Sequence, residues 1–119
     1  VATYSKLILS ASTDGRAIKV AATSSSGTTI HTGSATATTI DEVWLYAYNS
    51  SASAVVLTIQ WGGTTSVDDD IKLSIPVTSG LTLVVPGLLI KGNATPLVVR
   101  AYAATTNVVT VSGYVNRIA

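Results

Sequence analysis

Cysteine, methionine and phenylalanine are absent from this chain, histidine occurs once, and charged side chains make up only 11% of the sequence. Each scarcity removes a class of chemistry. Without cysteine there is no disulfide framework, no thiol nucleophile and no thiolate metal site. With a single histidine, a hydrolase triad or a His-ligated metal would have to run through His31, and no Gly-x-Ser-x-Gly or His-Glu-x-x-His pattern surrounds it. Seven Lys or Arg against six Asp or Glu leave a net charge of +1, which gives no general attraction for nucleic acid or acidic lipid. An ordinary soluble domain is about 25% charged, so this surface must be built from Thr, Ser, Ala and exposed apolar atoms. Such a surface suits contact with other protein.

What is present is a succession of short runs of Val, Leu, Ile and Thr with apolar residues at every second position, the period of strands with one buried face. Nine strands are predicted and no helix: Lys6 to Ser10, Ala17 to Thr23, Thr28 to Thr32, Asp41 to Asn49, Ala54 to Trp61, Ile71 to Val77, Leu81 to Val85, Leu97 to Ala103 and Val108 to Asn116. Turn pairs such as Asp14-Gly15, Gly62-Gly63, Ser79-Gly80 and Pro86-Gly87 separate them. With 119 residues the chain is one domain by size. The strand count predicts an all-β, antiparallel two-sheet β-sandwich spanning residues 1–119, a jelly roll rather than the alternative immunoglobulin-like arrangement. No internal repeat is visible.

No apolar run reaches the roughly 18 to 20 residues of a membrane-spanning segment. The first residues, Val1 to Lys6, lack the charged start and apolar core of a secretory signal, and they are expected to form a flexible arm. The Ser/Thr-rich stretch from Ala21 to Thr39 is expected to be a mobile hairpin or arm that orders against a partner.

Few residues suggest chemistry. In a Thr-rich strand, His31 reads as a surface or interface residue. Asp68, Asp69 and Asp70 form the one acidic run; they lack the alternating spacing of a calcium loop, and neighbouring strand residues point to opposite sides, so a solvated loop is the plainer reading. Asp41 and Glu42, adjacent on one strand, cannot face each other as a glycosidase pair does. No cofactor is expected. Trp44, Tyr46 and Tyr48 share one face of a strand whose other face carries Val43, Leu45 and Ala47, so that strand is covered on both sides, once by its own sandwich and once by something else. Arg100, between Val99 and Ala101, is placed to reach an acidic partner across an interface. Trp44, Tyr46, Tyr48 and Arg100 are therefore the predicted interface residues. Trp44, Trp61 and the five tyrosines could instead make a sugar-stacking platform, although rings in a sandwich more often pack in the core or at subunit contacts.

Three segments carry a family likeness: Asp41 to Gly63 (DEVWLYAYN, then SSASAVVLTIQWGG), Gly80 to Leu89 (GLTLVVPGLL) and Val109 to Arg117 (VTVSGYVNR). In their order, from about Leu7 onward, the chain resembles small virion proteins of tailed bacteriophages, in particular capsid cement or decoration proteins. That resemblance implies a homotrimer, made in the cytoplasm of the bacterial host, that binds the major capsid protein on the capsid exterior and braces the shell. No nucleic acid or membrane is involved, and no catalytic residues come with it. Some similar proteins belong to tails, necks or fibres, and a receptor- or glycan-binding module is the rival from another class.

Overall fold

Alternation at every second residue yields nine strands and no helix in the structure, a computed structural model that describes residues 2–119. The strands are β1 (Tyr4–Ile8), β2 (Ile18–Lys19), β3 (Thr28–Thr32), β4 (Ile40–Asn49), β5 (Val55–Trp61), β6 (Asp70–Ile75), β7 (Thr82–Lys91), β8 (Val98–Ala103) and β9 (Val109–Ile118). They form an all-β sandwich of two antiparallel sheets. The five-stranded sheet runs β1-β9-β4-β7, with β2 also paired to β9, and the four-stranded sheet runs β3-β8-β5-β6. The pairings nest: β5 with β6 is innermost, then β4 with β7, β3 with β8, and finally β1 and β2 with β9.

Between the sheets, Val43, Leu45 and Ala47 of β4 and Val111 and Val115 of β9 are fully buried, as are Leu57, Ile59, Val99 and Ala101 of the other sheet. This core is aliphatic. No Trp or Tyr is among the largest fully buried side chains, so those seven residues are left for the margins and the outer faces.

Apart from β2, which keeps only Ile18–Lys19 of the expected Ala17 to Thr23, three elements depart from the sequence-based expectation. The strand expected to stop at Val85 continues through Pro86 and Gly87 to Lys91. It is an edge strand, where a proline lacking an N–H is tolerated, and Pro86-Gly87 makes a bulge in the pairing with β4 instead of a turn. Tyr4 to Lys6, expected within a free arm, are the start of β1, in register with Ile118 to Asn116 of β9. Thr3 and Ala119 extend that ladder with reciprocal backbone hydrogen bonds of 2.7 and 2.8 Å. Val1, assigned to the same arm, lies outside the described residues.

The third departure is the Ser/Thr-rich stretch. Its β3 has the expected bounds, Thr28–Thr32, but the segment before β3 is fastened across the four-stranded sheet. Gln60 Oε1 accepts the Gly27 N–H at 2.8 Å, and Gln60 Nε2 donates to Ser25 Oγ at 2.9 Å. Alternation turns Thr58 and Gln60 away from the core, yet both are buried. A polar side chain on an outward position is thus the anchor for a segment that contains nothing large enough to anchor itself.

Candidate functional site

At one end of the sandwich a polar cluster joins the sheets. Asp41 is an inward position of β4 and is 1% exposed. Arg117 of β9 stands beside it in the ladder and donates through Nε to Oδ1 at 2.7 Å and through Nη2 to Oδ2 at 2.9 Å. From the opposite sheet His31, 2% exposed, brings Nε2 within 2.9 Å of Asp41 Oδ2. The backbone N–H of Ser10 donates to His31 Nδ1 at 3.2 Å. A backbone N–H can only donate, so Nδ1 is the acceptor and the ring hydrogen sits on Nε2, pointing at Asp41.

This placement corrects the reading of His31 as a surface or interface residue. The pairing of β3 with β8 shifts register between Thr29 and His31. The bulge sends two consecutive residues, Ile30 and His31, to the inside, which strict alternation would forbid. The trio has the composition of a charge-relay pair with an added arginine, but not its geometry. A relay needs the ring nitrogen remote from the carboxylate to face a hydroxyl, and here that nitrogen is buried on a backbone N–H. The cluster is an inter-sheet tie.

Burial by itself would raise the Asp41 carboxyl; the hydrogen bonds and charge of Arg117, with those of His31, outweigh it and hold the group below its ordinary 3.8. A carboxylate depressed in the folded state contributes stability above its unfolded value and loses that contribution as pH falls through the folded value. The urea midpoint is therefore expected to fall as the pH drops below the ordinary carboxylate range, and Asp41→Asn, which has nothing to titrate there, is expected to flatten that acid limb. An unchanged limb in the variant would place the acid sensitivity elsewhere.

The outer face of the five-stranded sheet is the second feature. Along β4 the residues alternate between buried and half-buried, so Asp41 and Glu42 occupy opposite faces, and Trp44, Tyr46 and Tyr48 line the outside with Glu42. Trp44 stacks on Tyr114 of β9, with ring centroids 6.1 Å apart and planes 13° from parallel. Its indole lies over Gly87, where a Cβ would come within 2.9 Å of the ring and where φ is +78°. Glu42 Oε2 accepts from Trp44 Nε1 and, at 3.0 Å, from Asn116 Nδ2; those two bonds hold the Glu42 carboxyl below its ordinary 4.5. Lys6 Nζ sits 4.9 Å from the centroid of Tyr114, a cation–π contact. Around this fixed centre stand exposed apolar side chains: Tyr4 and Ile8 on β1, and Leu81, Leu83 and Leu89 on or beside β7, with Tyr4 74% and Leu81 65% exposed.

The predicted interface residues do not form one patch. Trp44, Tyr46 and Tyr48 are together on the outer face of the five-stranded sheet, whereas Arg100 is on β8 of the other sheet, opposite Gln60 and Thr29. Trp61 is half-buried and packs against the core, which removes it as an open sugar platform. Asp69 Oδ2 accepts the Thr65 N–H at 3.0 Å and Asp70 Oδ2 accepts from Ser66 Oγ at 3.1 Å. These carboxylates shape their own loop, and among the described residues no three His, Cys, Asp or Glu side chains converge as a metal site. Sequence reasoning missed Arg117 and Asn116 because each acts on a partner more than 70 positions away; the paired alternation of two long strands was the available signal. No protein-family model, curated protein or solved structure matches the chain.

Proposed function

We propose that the chain is a virion structural protein of a tailed phage, a cement protein that self-associates as a trimer and coats the capsid exterior against the major capsid protein. The observation that carries this reading is the outer face of the five-stranded sheet, where Tyr46, Tyr48, Leu81 and Leu83 stand outside the sandwich core. Three strands of ten residues, β4, β7 and β9, make a face about 34 Å long and about 14 Å wide, extended at one edge by the five residues of β1, a large part of the roughly 800 Å² that each partner gives to a standard interface. At ~25 cal/mol per Å², covering 400 Å² of apolar surface offers a gross ~10 kcal/mol before the cost of association. Repetition over a shell adds avidity to modest single contacts.

Three further points support the reading. The low charge leaves little on the surface that must stay hydrated. The nested strand pairs, with β1 and β2 taken as one interrupted strand, agree with a jelly roll, an architecture found in viral capsid and lectin domains alike. The order of segments resembles small virion proteins.

Size-exclusion chromatography with light scattering, followed by mixing with capsids that lack the protein, tests the proposal. A stable trimer that binds the shell is expected. Tyr46→Ser with Tyr48→Ser is expected to weaken the trimer at least tenfold while the monomer keeps a cooperative urea transition, since neither ring is in the sandwich core. A monomer that ignores capsids would overturn the assignment and favour a tail, neck or receptor-binding role.

A further inference from the structure

At the Ile118 end of the same outer face, away from Tyr46 and Tyr48, an open depression of about 410 Å³ is lined by Tyr4, Ser5, Lys6, Glu42, Asn116, Arg117 and Ile118. Its volume falls within the roughly 300–1,000 Å³ of small-ligand sites. Its charges cancel: Lys6 and Glu42 contribute one of each sign, and Arg117 is neutralised by the bidentate bond to Asp41. An anion would meet the Glu42 carboxylate and a cation would meet Lys6, so the site favours a neutral ligand. The polar groups are nevertheless numerous and fixed. Glu42 Oε2 is engaged by Trp44 and Asn116, which orients Oε1 with no partner among the described residues, and leaves Asn116 Oδ1 free as a second acceptor. Lys6 supplies a donor. Tyr4, mostly exposed, and Ile118 supply an apolar wall.

A ring with hydroxyl groups around its edge and C–H bonds on its face satisfies all of these at once. We propose that the depression binds a neutral saccharide, with a pyranose face stacked on Tyr4 and sugar hydroxyls donating to Glu42 and Asn116. A flat aromatic ring would leave the paired acceptors unused, and a peptide strand would need a backbone ladder that the outer face of a sheet cannot provide. The inference does not use Tyr46, Tyr48, Leu81 or Leu83, the side chains on which the assembly reading rests.

The test is titration of the purified, isotopically labelled protein with methyl glycosides of glucose, galactose, mannose, rhamnose and N-acetylglucosamine, followed by amide NMR shifts. At least one of these sugars is expected to bind with a millimolar Kd and to move the amides of Tyr4, Lys6, Asn116 and Ile118. Tyr4→Ala and, separately, Glu42→Gln are expected to weaken that Kd at least tenfold with an otherwise unchanged spectrum. Leu83→Ser, at the other end of the face, is expected to leave it unchanged. Silence across the neutral panel would overturn the proposal. So would a response confined to acetate or sialic acid, which would mark an anion site, or a sugar response that survives Tyr4→Ala.

Discussion

Asp41→Ala is expected to remove about 3–5 kcal/mol of folding stability, the usual cost of deleting one partner of a buried ion pair. The loss comes from what is left behind. Arg117 keeps its guanidinium without an acceptor, and His31 keeps a buried N–H on Nε2 aimed at an empty space. Arg117 is 29% exposed and can turn partly to water; His31, clamped by the Ser10 N–H at its other nitrogen, cannot. Urea denaturation at pH 7 reads the effect. Asp41→Asn keeps a carbonyl acceptor of the same shape and is expected to lose less than Asp41→Ala. A change below about 1 kcal/mol in the alanine variant would mean that the two sheets are held without this tie.

Gly113→Ala is expected to be at least as damaging. Gly113 pairs with Leu45 in the ladder between β4 and β9. A Cβ there would lie 1.9 Å from the carbonyl oxygen of Trp44 and 2.9 Å from its carbonyl carbon. Those are backbone atoms of the strand at the middle of the larger sheet, and they cannot move aside as the tip of a side chain can. Overpacking a core costs about 1–3 kcal/mol when neighbours can adjust; here relief requires separating two strands, so a loss above 3 kcal/mol or failure to fold is expected. Gly80→Ala is the control. No atom lies within 4 Å of a Cβ at Gly80, and the penalty is that of its φ of +74° alone, about 1–2 kcal/mol. Parallel thermal melts compare them; equal losses would show that steric closeness at Gly113 is not the governing factor.

The strands were legible where a single period ran uninterrupted. In β4 the alternation of Val43, Leu45 and Ala47 with Trp44, Tyr46 and Tyr48 marks both faces, and the structure keeps each residue on the side the pattern assigns. What could not be read were breaks in the period and partners distant in sequence. A bulge put His31 inside, and a bulge carried β7 through Pro86 and Gly87, because one added residue reverses the facing of everything beyond it. Asp41 and Arg117 are 76 positions apart, and Gly27 and Gln60 are 33 apart. Isolated along the sequence, Asp41 read as half of an acidic pair and Gln60 as an ordinary strand residue. The aromatic face was legible as a face; that Glu42 and Asn116 organise it depends on β9 lying beside β4, which strand order alone decides.

The nesting of the strand pairs also sets the order in which the molecule can be made. β9 leaves the ribosome after the other eight strands, and it is the neighbour of β1, β2 and β4 at once. Until it emerges, β4 has a partner on one edge only, and both of its faces are apolar. A nascent chain can form the inner pairs first, but its larger sheet waits for β9, and the strands β9 and β1 that must join are more than a hundred residues apart. Topologies dominated by such distant pairings fold in milliseconds to seconds and expose unpaired edges to other chains meanwhile. A polysome carrying many copies would thus hold many open β4 edges side by side, and β9 is the strand that withdraws them.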